Sequence, residues 1–416
     1  MFNVDNIYNI INANFLRPNS LSGSFLHEFG KCNNLKDIST MNTDIFNTNQ
    51  VLFNLQNVFF YDQEPVYDHN TVANMYNIFT KEFNNDYIGV DGGIFATSEL
   101  HSPKVDALCK KLKLSKWYYF YHAFASLDWF RSIEYAPKVN NIWQGASYIN
   151  LNNLYKGPRI YRLIFLSQLY KQGLLGDGIV SYNIDEWSEE LDNMHLNSKT
   201  RQDIISFCSQ VKTSHRVQTS LYSEDDSSAE PEYSVWTSAF WHVVSETCFY
   251  EKTVHLTEKI FKPIVARQPF LVLSTPGALK YLKSYGFKTF DNVIDESYDE
   301  EYDPNIRILK VVEQLNKICN LSEKEKKEMY EEILPTLDYN FNHFYNNLEE
   351  IAWKELVDNF HLALAESNQL TKIHSYHKNL QYEKFSDIPN NQRCVFANSV
   401  YSSPGTLGSK LRKILK

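Results

Sequence analysis

Two groups of residues in this chain have the types and spacing to do chemistry. The first is Glu246, followed eleven positions later by Thr257-Glu258-Lys259. Thr257 suits a helix N-cap, because its hydroxyl accepts from the free amides of a first turn, and Glu258 suits the positive end of the dipole. The same amides attract a phosphate, and Lys259 sets a point charge beside them. A carboxylate there, being acceptor-only, can take two hydrogen bonds from a ribose diol. The set therefore fits a nucleoside diphosphate, and by itself it also describes an ordinary capped helix with a solvated lysine. The second group is Asp62 and Glu64, in Asp62-Gln63-Glu64-Pro65, together with His122. Any of the three can serve as a general base, the histidine because its ordinary pKa lies near neutrality. The alternatives are solvated turn acids and a core histidine. Arg159 and Arg162 are candidates for a phosphate, which guanidinium binds bidentately.

These residues need elements to hold them. Ser238 to Phe290 reads as strand, loop, helix, strand: an apolar run through Trp241, Val243 and Val244, polar residues at 245–247, a helix start at Thr257, and a second run at Phe270–Leu273. That is one unit of a parallel α/β sheet, in which ligands sit beyond the carboxyl ends of the strands. Pro263 predicts a kink after the first turn of the helix. Earlier, strands are expected over Val51–Tyr61, Ile94–Thr97 and Trp117–Phe124, with helices over Thr71–Phe83 and Val105–Leu112. Their ends would carry Asp62, Glu64, Glu99, His122 and Asp128 on one face. Arg159–Leu175 reads as a helix, and Ile179–Tyr182 as the first strand of a second domain, which places the boundary at 176. Gly277–Tyr285, Ile306–Ile318, Glu323–Leu334 and Asn347–Glu366 read as further helices.

The stretch Phe240–Thr247, Thr257-Glu258-Lys259-Ile260-Phe261 and Gln268-Pro269-Phe270-Leu271-Val272 resembles the donor-binding signature of the α-1,3-fucosyltransferases and related GT-B glycosyltransferases. The resemblance covers roughly fifty of the 416 residues. One departure is that the Glu-Asn-Ser usual after the strand stands here as Ser245-Glu246-Thr247. The resemblance implies two Rossmann-like domains facing across a cleft: residues 1–176 for the acceptor, 177–345 for the nucleotide-sugar, and 346–416 a crossing helix and basic tail. It implies a sugar transferred from a nucleotide-sugar to an acceptor hydroxyl with inversion. Glu258 would hold the donor ribose and Lys259 the pyrophosphate, supported by Glu246, Thr257 and Arg159 or Arg162, while Asp62, Glu64 or His122 takes the acceptor proton. The acceptor is expected to be a glycan. The alternatives are a hydroxylated base in DNA, as in viral DNA-glucosylating enzymes, and an inactive relic that binds a glycan or a partner protein.

The length asks for two domains. A net charge of −9 and a pI near 5.8 do not suit a protein built to grip nucleic acid non-specifically. The six cysteines have no Cys-x-x-Cys pair and no metal-ligand spacing, so reduced thiols are expected and no metal site. The amino-terminal stretch lacks the features of a signal peptide, and no run of 18 apolar residues occurs, so the expected place of action is a cytoplasm, the host's if the protein is viral. Abundant Asn, Ile, Lys and Tyr suit an AT-rich bacterial or viral genome. Glu224-Asp225-Asp226 is similar to the metal-binding Asp-x-Asp of the GT-A fold, but it lies among serines and does not end an apolar strand, so it reads as a surface loop and metal-independent chemistry is expected. Asp291–Asp303 holds seven acids and reads as a rim loop whose carboxylates can bind sugar hydroxyls. The basic end, Lys410–Lys416, reads as a solubilising turn, with anionic lipid, DNA or a partner as alternatives.

Overall fold

A computed structural model describes residues 5–19, 21–25, 56–66, 93–135 and 145–367, apart from 113, 153–154, 156, 183, 185–186, 188–190, 192–195, 212–213, 216–232 and 251. The helix expected at 71–83, the acidic loop at 224–226 and the basic end at 410–416 lie outside the described residues. The chain divides into two compact units, Met1–Ser132 with Asn347–Lys416, and Ile133–Asn346. Each is α/β, with its own sheet of parallel strands.

In the first unit the sheet runs in sequential order: β1 (Leu21–Phe25), β2 (Gln56–Phe60), β3 (Gly93–Thr97), β4 (Leu114–Tyr118). Register pairs Val58 with Ile94 and Ala96 with Trp117. Helices α1 (Asp5–Ile11), α2 (Pro103–Leu112) and α3 (Tyr121–Trp129) belong to this unit. The strand expected over 117–124 is corrected. It ends at Tyr118, and Tyr121–Trp129 is helical. A continuous aromatic run is apolar on every face, which suits a buried helix as well as a buried strand, so period cannot separate them. The late helix α11 (Leu348–Glu366) packs on β4 and α3. Trp117 donates its indole N–H to the Leu356 carbonyl at 3.1 Å, and Asn359 donates to the Tyr118 carbonyl at 2.9 Å. Phe15, Trp117 and Phe360 close this core, with ring centroids 4.9 Å apart for Phe15–Phe360 and for Trp117–Phe360.

The second unit has strand order β6-β5-β7-β8, with β5 at Ala146–Asn150, β6 at Gly178–Val180, β7 at Ala239–Ser245 and β8 at Phe270–Leu273. The division at 132/133 therefore differs from the expected 176. Ile179 is on an edge strand, and the sheet's first strand is the short run Ala146–Asn150. Helix α4 (Tyr161–Lys171) also lies in this unit, shorter than the expected 159–175. The chain goes from β5 to β6 on one side and then to β7 on the other, so the direction of winding reverses between β5 and β7. Every residue of β7 and β8 is buried, as parallel strands covered on both faces must be.

After α5 (Ser198–Val211) and α6 (Tyr233–Trp236), α7 spans Glu258–Val265. It runs through Pro263 and ends two residues later. Proline's missing N–H leaves only the Lys259 carbonyl without its helical partner, a small loss in so short a helix. Helices α8 (Ala278–Ser284), α9 (Pro304–Cys319) and α10 (Glu323–Asn346) complete the unit. Gly286, at φ 90°, ends the α8 region in the left-handed conformation that glycine adopts without strain.

The acidic stretch 291–303 has a local structural use that the sequence reading did not assign. Asp299 accepts from the amides of Leu279 and Lys280 at 2.9 and 3.2 Å, capping α8. Glu296 accepts from Phe290 N and Thr289 Oγ1, both at 2.7 Å, and Asp303 caps α9. These three carboxylates are held by their own fold.

Candidate functional site

The carboxyl ends of β5 and β7 carry a continuous polar network. Ser245 ends β7, and the amide of Glu246 donates to the Leu273 carbonyl at 2.9 Å, which fixes the turn out of the strand to the end of β8. Glu246 is fully buried. Its Oε1 accepts from Thr257 N at 3.1 Å, and its Oε2 from Thr257 Oγ1 at 2.7 Å and Thr247 N at 3.3 Å. Burial raises its pKa; the Lys259 ammonium and the bonds from Thr257 oppose that rise.

Thr257 is the N-cap of α7, as the sequence predicts, with Oγ1 accepting from Lys259 N at 3.4 Å. The Lys259 ammonium lies 3.0 Å from Thr257 Oγ1, 3.4 Å from Thr247 Oγ1 and 3.3 Å from Glu258 Oε1. Its side chain is 32% exposed, whereas that of Glu258 is 7% exposed. The fold thus brings Glu246, Thr257, Glu258 and Lys259 together at one helix start, and lysine is the charge that faces solvent.

Arg162 is buried under this site. Its Nη2 donates to the carbonyls of Ser245 and Glu246 at 3.1 and 3.2 Å, and its Nε to Tyr161 Oη at 3.2 Å. The Tyr161 hydroxyl in turn donates to the Glu246 carbonyl. Arg162 therefore satisfies carbonyls that emerge from β7. Arg159 is half-buried on the turn Gly157–Arg159 before α4.

Residues that the sequence reading did not select complete the network. Asn150 Nδ2 donates to the Val243 carbonyl at 2.7 Å and to Ser245 Oγ at 3.0 Å, bridging β5 to β7 across the point where the winding reverses. Asn152 Nδ2 donates to Asn150 Oδ1, and Asn152 N donates to Ser181 Oγ at 2.7 Å, which adds the end of β6. In doubly wound sheets the ligand crevice lies at this kind of reversal.

The other candidates cluster in the first unit, beyond the end of β2. Asp62 is buried; its Oδ1 accepts from Tyr8 Oη at 2.9 Å and its Oδ2 from Tyr119 Oη. Gln63 Nε2 donates to Tyr8 Oη at 2.8 Å. Burial raises the Asp62 carboxyl to about 7, against the two tyrosine hydroxyls that stabilise its charged form. His122, on the first turn of α3, places Nε2 3.1 Å from the Gln63 carbonyl. A carbonyl only accepts, so Nε2 carries the hydrogen and Nδ1 is the basic nitrogen of the neutral ring. Glu64 is the one of the three that is not buried. Glu99 Oε1 accepts from Val66 N at 2.5 Å, and Asp128 pairs with Arg131 at 3.0 Å, so both have structural partners.

Among the described residues no group of three His, Cys, Asp or Glu is arranged to hold a metal, and no helix is long and apolar enough to cross a membrane. Cys109, Cys208, Cys248 and Cys319 are free thiols. No protein-family model matches the chain, and none of the curated proteins compared with it is significantly similar.

Proposed function

We propose that the chain is a nucleotide-sugar glycosyltransferase whose second unit binds the donor. The observation that carries this reading is the half-exposed Lys259 ammonium at the start of α7, fixed by Thr257 and Thr247 beside the buried Glu246. An ammonium and helix amides converging at the carboxyl end of a parallel strand favour a diphosphate. Charge that builds on a departing diphosphate is stabilised best by donors already in place, and here the lysine is fixed by hydroxyls of the fold.

Glu258 supplies the carboxylate for the ribose diol, while Glu246 acts as the fastener that holds the helix start to the strand end. The Arg162 guanidinium supports this site through the carbonyls of Ser245 and Glu246 and through the Tyr161 hydroxyl. For the acceptor proton the candidates stay Asp62, Glu64 and His122, of which Glu64 is the one that is not buried, while His122 and Asp62 hold its loop. The GT-B organisation, inversion at the anomeric carbon and a glycan acceptor belong to the same proposal, which rests on the resemblance of Phe240–Val272 together with this site.

The test is a thermal-shift panel of GDP, UDP, CMP, ADP and their sugars on the wild type and Lys259→Ala. Ligand that binds only the folded state raises the melting midpoint. A rise of several degrees with one nucleotide, absent in Lys259→Ala, supports the donor site. No response to any of them removes it.

A further inference from the structure

We propose that Tyr250 is a stacking floor for the nucleobase of the bound nucleotide, an inference that rests on the nucleotide reading above and assigns the far end of the same ligand. The chain between β7 and α7 carries two adjacent aromatic residues, Phe249 and Tyr250, of which the first is buried and the second is 40% exposed.

Phe249 lies parallel to Tyr161, with ring centroids 4.1 Å apart and planes 10° apart. The Arg307 guanidinium carbon lies 4.3 Å from the centroid of the same Phe249 ring, anchored by Nη2 to the Phe249 carbonyl and by Nη1 to the Glu301 carbonyl, both at 2.5 Å. Two groups that close cannot share one face of a six-membered ring, so both faces of Phe249 are covered. Tyr250 stands at 88° to Phe249, with centroids 5.3 Å apart, and at 79° to Tyr161, at 6.4 Å. In a perpendicular contact the edge of one ring meets the face of the other. With the faces of Phe249 covered, it is the Phe249 edge that meets the face of Tyr250, and the parallel Tyr161 ring turns its edge to that same face.

The inner face of Tyr250 therefore rests on two ring edges, while the residue as a whole stays 40% exposed. An aromatic ring set in this way needs little ordering when a planar group lands on it, so little of the contact is lost to entropy. The floor is also joined to the phosphate end. Tyr161, which supports Tyr250 with its ring edge, donates its hydroxyl to the carbonyl of Glu246, the residue whose carboxylate holds Thr257. A nucleoside diphosphate with its phosphates at Lys259 carries a flat heteroaromatic ring at its other end. Every base has a π face, so the floor contributes affinity without choosing the base.

The experiment is titration calorimetry of UDP, GDP, ADP and inorganic pyrophosphate against the wild type, Tyr250→Ala and Tyr250→Phe, with melting midpoints recorded for all three. Loss of a base stack weakens binding by about tenfold or more. Tyr250→Ala is expected to show that loss for the nucleotide the wild type binds and none for pyrophosphate, while Tyr250→Phe stays within about threefold of the wild type for both, because the phenyl face is kept. Tyr250→Trp is a second test: its emission is expected to be quenched by the nucleotide and unaffected by pyrophosphate. Nucleotide binding that is unchanged in Tyr250→Ala, an equal loss for pyrophosphate, or a Tyr250→Trp signal blind to a bound nucleotide overturns the stacking floor and leaves the nucleotide reading standing. If the wild type binds pyrophosphate and no nucleotide, both fall together.

Discussion

Thr257 Oγ1 lies 2.7 Å from Glu246 Oε2, and the Lys259 ammonium lies 3.0 Å from that same hydroxyl oxygen. One threonine thus donates to a buried carboxylate while accepting from a half-exposed cation. Glu246→Ala should cost about 2–3 kcal/mol in urea unfolding, because the buried Thr257 amide and hydroxyl lose their acceptor. Thr257→Val should cost about 1 kcal/mol as a lost cap. A double mutant markedly less destabilised than the sum of the singles confirms that they act as one fastener.

Lys259→Ala should separate binding from folding. The ammonium is partly solvated and its partners are neutral hydroxyls and one carboxylate, so the stability change is expected within about 1 kcal/mol. Pyrophosphate and nucleotide affinity should fall by about tenfold or more by calorimetry, as expected for loss of a charged contact to phosphate.

Arg162→Leu should behave in the opposite way. Removing a buried guanidinium leaves the carbonyls of Ser245 and Glu246 without these donors and is expected to cost about 3 kcal/mol, read as a lower urea midpoint. Arg159→Ala, at a half-buried turn position, should change stability by under about 1 kcal/mol. An Arg162 variant as stable as the wild type but unable to bind phosphate would restore the anion-binding role.

Asp62 predicts a pH dependence with a definite sign. Its folded pKa of about 7 lies above the ordinary 3.8, so the folded chain keeps a proton that the unfolded chain gives up. This contribution is fully present below about pH 4 and is lost as pH rises toward 7. His242 has the other sign: burial lowers it to about 3, so its contribution holds above about pH 6.5 and is lost as pH falls. The two oppose each other between about pH 4 and 6.5. The difference between wild type and Asp62→Asn isolates the first, and it should move in the mutant's favour between pH 5 and pH 8, on the order of a few kcal/mol. A pH-independent difference would refute the raised carboxyl.

The strand–loop–helix–strand from Ser238 to Phe290 was legible in the sequence because its signals are local: a buried apolar run, a capping threonine and a second apolar run. The partners were not. Asn150 meets Ser245 across 95 positions, and Tyr8 meets Asp62 across 54, distances over which no periodic pattern reports contact. Strand β5 was missed because Ala146–Asn150 is five residues with little alternation, which displaced the expected start of the second unit to Ile179. In Trp117–Phe124 the aromatic density hid a change from strand to helix. The placing of the Tyr250 ring gave no signal either, since its orientation is set by Phe249, Tyr161 and Arg307 together.

Helix α11 contributes the carbonyl that receives the Trp117 indole, and its Phe360 packs on the same tryptophan. The unit that begins the chain is therefore finished by a segment translated after all of the other unit. On the ribosome, Ile133–Asn346 emerges as an uninterrupted block and can settle while β4 still lacks its cover. During that interval Trp117 and Phe15 present apolar surface, the kind of exposure that chaperones bind and that leads to aggregation. Nascent chains stalled after Ile133–Asn346 has emerged but while α11 is still inside the exit tunnel should accordingly be the most prone to capture, with the demand ending once α11 clears it.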